Sequence, residues 1–197
     1  MTVRLKPKQA IIALDVSSLE EIKNLLSIID KDLFRLKVGK QLFTSQGPKA
    51  IEKLRSLGFD IFLDLKLHDI PNTVSSAIDS LSNINPDFLT LHISGGSEMI
   101  KAALNSIKKN KLKTKILGVT LLTSLDGKDS EKIYKERSTK KLVKKFTEIA
   151  NNVNIHGLIC SGNDLRGLGK FNKLIKITPG VKMFARNDDQ KRVTFAH

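Results

Sequence analysis

The sequence predicts a parallel α/β fold of the eight-stranded kind, a TIM-type (β/α)8 barrel with about seven strand–helix units, in one domain spanning residues 1–197. Three observations carry that expectation. Short apolar runs of strand character alternate with segments of helical spacing along the whole chain. The turn after the first strand, Asp15-Val16-Ser17-Ser18, contains no glycine, which weighs against an open dinucleotide-binding or P-loop sheet. Nearly every strand ends on polar residues: Asp15, Lys37, Asp64 with Lys66, His92, Thr123, Ser161 and Pro179-Gly180. Barrel enzymes build their sites from those ends.

The elements follow in order. Residues 9–15 (QAIIALD) form a short apolar run, and 17–30 have helical spacing behind an S-x-x-E capping box. Residues 33–39 read as the second strand, and 41–57 as a helix stopped by Gly58. The third strand is 59–67 (FDIFLDLKL), followed by a helix over 72–81. Strands at 87–93, 115–122, 157–161 and 174–178 then alternate with helices at 97–108, 139–151 and 163–171. A last helix is barely begun within 188–197.

Composition removes several classes. Forty per cent of the residues are hydrophobic, enough for an ordinary core, and the single cysteine, Cys160, excludes a disulfide framework. The apolar run 10–14 is too short for a signal peptide or a membrane span, so a cytoplasmic setting away from membranes is expected. Lys+Arg 34 against Asp+Glu 20 leaves +14, a balance that raises the question of nucleic acid. Aromatics are only 5% and Trp is absent, so stacking hardware is thin and no nucleic-acid partner is expected. The lysines read as solvated surface that could steer an anionic substrate. The four histidines lack metal-ligand spacing, and no metal is expected.

The third strand carries the sharpest chemistry. Alternation places Phe62, Asp64 and Lys66 on one face and Leu63, Leu65 and Leu67 on the other. The leucine face packs against helices, so a carboxylate and an ammonium point inward, two residues apart. Burying either ion alone would cost several kcal/mol, roughly, so they must neutralise each other or meet further charges. Lys37 supplies a second cation. Asp69 lies just off the strand end, and Pro71 holds Ile70 extended before the next helix. His92 reads as a hydrogen-bonded packing residue, Cys160 as a small core residue, and His68 is given no role.

The decapeptide Asp64-Leu65-Lys66-Leu67-His68-Asp69-Ile70-Pro71-Asn72-Thr73 resembles the D-x-K-x-x-D-I-P-x-T signature of the orotidine 5′-phosphate decarboxylase family. The resemblance continues in order along the chain. It takes in Ile11-Ile12-Ala13-Leu14-Asp15, Leu36-Lys37-Val38-Gly39, Leu91-His92 with Gly95-Gly96, and Val119-Thr120-Leu121-Leu122-Thr123-Ser124. Gly157-Leu158-Ile159-Cys160-Ser161, Thr178-Pro179-Gly180 and Asn187-Asp188-Asp189-Gln190 complete it.

The resemblance implies a cofactor-free homodimeric barrel that converts orotidine 5′-monophosphate to uridine 5′-monophosphate, the last step of de novo pyrimidine synthesis. It makes Lys66 the proton donor to C6, with Asp64 and Asp69 aiming it and Lys37 completing an alternating Lys–Asp–Lys–Asp array. Asp15 and Lys37 would hold ribose hydroxyls, Thr123 the pyrimidine, and Gln190 the phosphate. Asp69 and Thr73, flanking Ile70, would reach the neighbouring subunit's ligand. Lys182 stands where many bacterial relatives carry arginine, keeping charge but losing the bidentate fork. The family pattern places an eighth strand, with a Val/Ile-Gly-Arg phosphate grip, beyond His197, so a shortfall of one strand and helix is expected, and with it weak phosphate binding and weak activity. A magnesium-dependent sugar-phosphate decarboxylase or synthase shares D-x-K-x-x-D, but Ile70-Pro71-Asn72-Thr73 and Thr123-Ser124 favour the orotidine enzyme. A non-catalytic basic protein that binds polyanions is the alternative of a different class.

Overall fold

Seven parallel strands lie side by side in chain order in the computed structural model, which describes residues 6–182, 191–192 and 194–195. They are β1 (Ala10–Leu14), β2 (Phe34–Gly39), β3 (Ile61–Leu67), β4 (Phe88–His92), β5 (Lys115–Val119), β6 (Gly157–Ile159) and β7 (Ile175–Ile177). Each pairs with the next in parallel register, as βα units require. Among the described residues no strand pairs with the free edges of β1 and β7. A separate two-stranded parallel pair joins β8 (Val181–Lys182) to β9 (Thr194–Phe195).

The sheet is curled, and its packing shows it. An inner cluster of Phe62, Phe88, Leu117, Val119 and Ile159 also receives Ile11 from β1 and Ile175 and Ile177 from β7. Residues from the two outermost strands can meet one cluster only if the sheet wraps around it. The larger cluster lies outside, where Leu36, Val38, Leu63, Leu89 and Leu91 face Ile51, Leu54, Ile78, Ile100 and Ala103 of the helices. Two cores, one within the strands and one between strands and helices, are the packing of a barrel. Phe62 falls in the inner core and Leu63 in the outer one, as the alternation of β3 predicts.

The helices are α1 (Lys23–Ile28), α2 (Lys40–Gln46), α3 (Pro48–Ser56), α4 (Pro71–Ser80), α5 (Gly96–Lys109), α6 (Gly127–Tyr134) and α7 (Thr139–Asn152). Four of the helical segments expected from the sequence differ in the structure. The first helical segment opens as a 3-10 turn, Glu20–Ile22, and only half the expected capping box forms: Glu21 accepts from the Ser17 and Ser18 N–H groups. The helix expected over 41–57 is two helices. Gly47, at φ 62°, ends α2, and Pro48 at the first position of α3 cannot donate the bond that would continue it. The segment expected as helix over 163–171 is a 3-10 helix, Gly162–Leu168. The helix expected within 188–197 is not seen at the described positions: Lys191 and Arg192 lie in a bend, and Thr194–Phe195 is strand. Helix α6 was not foreseen at all; its signal is the D-x-x-D capping box of Asp126 and Asp129. Among the described residues no helix is long and apolar enough to cross a membrane.

Candidate active site

The C-terminal half of β3 is irregular, and the irregularity builds the site. Leu63 pairs with Leu89 and Leu67 with Leu91, so four steps along β3 are matched by two along β4. The extra residues form a bulge in which Lys66 takes φ 52°, a left-handed conformation rare for a side-chain-bearing residue. Such strain persists only where surrounding contacts hold it. Here they are specific. The Lys66 N–H, drawn out of the ladder, donates to Thr90 Oγ at 2.8 Å, and the Thr90 hydroxyl donates to Asp64 Oδ1 at 2.8 Å. Asp64 Oδ2 accepts from Lys66 Nζ at 2.6 Å. Lys66 is thus tied to one carboxylate twice, its ammonium directly and its backbone N–H through one buried threonine.

Exposure separates the partners. The Asp64 side chain is 12% exposed and Lys66 28%, so the lysine is the more solvent-accessible member of the pair. On the neighbouring strands, Lys37 Nζ lies 3.0 Å from Asp15 Oδ1, with Asp15 68% exposed just beyond β1. The four residues therefore form two ion pairs on adjacent strands, each lysine with its own carboxylate. Asp69 is exposed beyond β3, and its carboxylate accepts from the Ile70 N–H at 2.7 Å; among the described residues it makes no ion pair. Ile70 is 66% exposed, and Thr73 is exposed in the first turn of α4. Thr123 lies in the loop after β5, half-buried. Lys182 falls in β8, and Gln190 lies outside the described residues.

The sequence reading missed Thr90. A threonine inside the apolar run Phe88-Leu89-Thr90-Leu91 was the available signal, because a fully buried hydroxyl must find a partner. His92 is placed as expected, half-buried at the end of β4, but its packing partner is the His68 ring, 5.2 Å away between centroids. No hydrogen bond from its side chain joins that contact among the described residues. Cys160 is buried, and burial pushes its thiol up to about 12, leaving it inert at neutral pH.

Burial pushes the His92 imidazole down to about 4, reinforced by the positive charges of His68, Lys66 and Lys40. Unfolded, the ring titrates near ~6.5. The unfolded chain then binds the extra proton between those values, so the contribution of His92 to stability is complete above ~6.5 and is lost as pH falls towards 4. Proton NMR of the folded chain should show one imidazole titrating near 4, and urea midpoints should fall over the same interval. A His92 resonance titrating at its ordinary value would contradict this.

Comparison with known proteins agrees with the geometry. The sequence profile of the orotidine 5′-phosphate decarboxylase / HUMPS family matches residues 8–197. The orotidine 5′-phosphate decarboxylase of Saccharophagus degradans is 38% identical over 190 residues, covering 94% of this chain and 79% of that protein. The enzyme of the same name from Staphylococcus saprophyticus is 39% identical over 193 residues, covering 93% of this chain and 81% of its own. Among solved structures, orotidine 5′-phosphate decarboxylase from Lactobacillus acidophilus superposes with a TM-score of 0.78 at 33% identity, covering 89% of this chain and 82% of that one. A parallel barrel, a Lys–Asp pair at its open end and these likenesses converge: the chain belongs to the orotidine 5′-phosphate decarboxylase / HUMPS family.

Proposed function

We propose that this chain decarboxylates orotidine 5′-monophosphate to uridine 5′-monophosphate, as a cytoplasmic homodimer. The observation that carries the proposal is the Lys66–Asp64 pair held by Thr90 on the bulge of β3. In the reaction the bond from C6 to the carboxylate breaks, carbon dioxide leaves, and the electron pair stays on C6. A fixed ammonium beside that carbon stabilises charge as it develops and then delivers its proton there. Water restores the proton to Lys66. Asp64, 2.6 Å from the ammonium, holds the donor in place. Asp15 and Lys37, at the same open end, suit the ribose hydroxyls: one accepts, the other donates. Thr123 is assigned the pyrimidine, and Lys182 and Gln190 the phosphate. Incubation with orotidine 5′-monophosphate should bleach the orotate absorbance and yield uridine 5′-monophosphate; absence of turnover in folded protein would refute the reading.

The dimer makes a separate prediction. Asp69, Ile70 and Thr73, which follow β3, are all exposed, and among the described residues Asp69 makes no ion pair with Lys66. That placement suits residues serving a neighbouring subunit's site. Asp69→Ala and Lys66→Ala proteins, each inactive alone, should then regain about a quarter of the unaltered activity when exchanged in equal amounts, since half the dimers are mixed and each carries one intact site. Proven subunit exchange without recovery would place Asp69 in its own chain's site.

A further inference from the structure

Two consecutive basic residues, Lys191 and Arg192, each reach the capped start of a different helical segment. Lys191 Nζ lies 2.7 Å from Asp129 Oδ2 and 3.3 Å from Asp126 Oδ2. These carboxylates are the two halves of the α6 capping box: Asp126 accepts from the Lys128 and Asp129 N–H groups, and Asp129 from the Asp126 N–H. Arg192 Nη2 pairs with Asp164, whose carboxylate closes a second capping box with Ser161 after β6. The backbone completes the arrangement. The N–H groups of Lys191 and Arg192 both donate to the Thr123 carbonyl, each at 3.0 Å, and the Ser161 hydroxyl donates to the Arg192 carbonyl at 3.1 Å.

We infer that Lys191 and Arg192 are positioning residues for Thr123: a clasp across the ends of β5 and β6 that fixes the peptide presenting this threonine to the substrate base. The inference rests on the functional reading above, which assigns Thr123 the pyrimidine. A carbonyl that receives two N–H donors cannot turn without losing both, and the Thr123 Cα, which lies in the same planar peptide unit, is held with it. Neither basic residue needs to touch the ligand.

The two ion pairs contribute unequally. Lys191 is 50% exposed and its partners 44% and 32%, so this pair is screened by solvent. The Arg192 and Asp164 side chains are 11% and 5% exposed, where screening is weak. Asp126 is held down at about 2, first by the Asp129 N–H and then by Lys191, and Lys191 is raised above its ordinary value by Asp129 and Asp126. The lysine side of the clasp is therefore fully charged at neutral pH.

Calorimetric affinities for uridine 5′-monophosphate and for uridine test the clasp in five variants: Lys191→Ala, Lys191→Arg, Arg192→Met, Thr123→Ala, and Thr123→Ala combined with Lys191→Ala. Lys191→Ala should weaken both ligands by the same factor, about 3- to 5-fold, the size of one exposed ion pair. Lys191→Arg should restore affinity, and Arg192→Met should weaken both ligands about 10-fold. In the Thr123→Ala background, Lys191→Ala should cost little more, because a residue acting through another is not additive with it. Full additivity, a loss confined to the phosphorylated ligand, or unchanged affinity in Lys191→Ala would each overturn the inference. Should Arg192→Met fail to fold, the exposed Lys191 still decides. No binding of uridine 5′-monophosphate by the unaltered chain would remove the functional reading and the clasp together; binding that Lys191→Ala leaves intact would remove the clasp alone.

Discussion

Lys66→Ala is expected to lower kcat by at least about 10²- to 10⁴-fold, the range a positioned proton donor contributes, while changing affinity for uridine 5′-monophosphate by only a few-fold. The split follows from when the ammonium acts. The product carries neither the departing carboxylate nor charge at C6, so it has little to gain from a cation there, whereas the transition state has both. The substitution is well suited to this question because the backbone is already left-handed at φ 52°, a cost that lysine and alanine share. Thr90 keeps its bonds to the residue-66 N–H and to Asp64 in the variant, so the bulge retains its anchors. Stability should still drop, since Asp64 loses its counter-ion at 12% exposure, and thermal melting should report that loss separately. Near-normal turnover in folded Lys66→Ala protein would exclude Lys66 as the acid.

Much of this architecture was legible in the chain. The parallel barrel class follows from strands alternating with helices along the chain, and the outward leucine face of β3 from side chains of successive residues pointing to opposite sides of a sheet. The failures share a cause: local chemistry overruled periodicity. The 41–57 segment keeps its apolar spacing across Gly47 and Pro48, yet one left-handed residue and one missing N–H divide it. Helix α6 is short, and Ser130 is its one buried residue, so apolar spacing has little to mark; only its capping carboxylates announce it.

The site was legible in its residue types and not in its pairing. Asp64 and Lys66 stand two apart, and their juxtaposition could be read from the sequence. The bulge could not, because it depends on β4 supplying a hydroxyl at the one place where β3 leaves the ladder. For the same reason the partner of Lys37 was not legible: from β2 it meets Asp15 beyond β1 at 3.0 Å, a contact across strands that no spacing along the chain encodes. The clasp of Lys191 and Arg192 joins residues 62 and 65 apart in one case and 28 in the other, beyond the reach of any local motif.

Asp64→Asn and Thr90→Val are expected to damage turnover in that order, about 10²-fold and about 10-fold, with product affinity largely kept. A proton donor misplaced by about an ångström can lose ~10²-fold in rate, so aim is the quantity at stake. In Asp64→Asn the amide can still accept from Thr90, but the charge that holds the ammonium at 2.6 Å is gone. In Thr90→Val the ion pair survives while the Lys66 N–H and one Asp64 oxygen lose their partner. An unsatisfied buried donor costs about 1–3 kcal/mol, so Thr90→Val should also melt lower. The useful measurement is the ratio of effects on kcat and KM rather than either alone. If Thr90 and Asp64 aim the lysine, both variants lose kcat and spare KM, because the ground-state complex does not depend on where the proton points. A Thr90→Val protein with unaltered kcat would show that Lys66 holds its strained conformation without the threonine; a KM that rises as steeply as kcat falls would show that Thr90 shapes the binding surface instead.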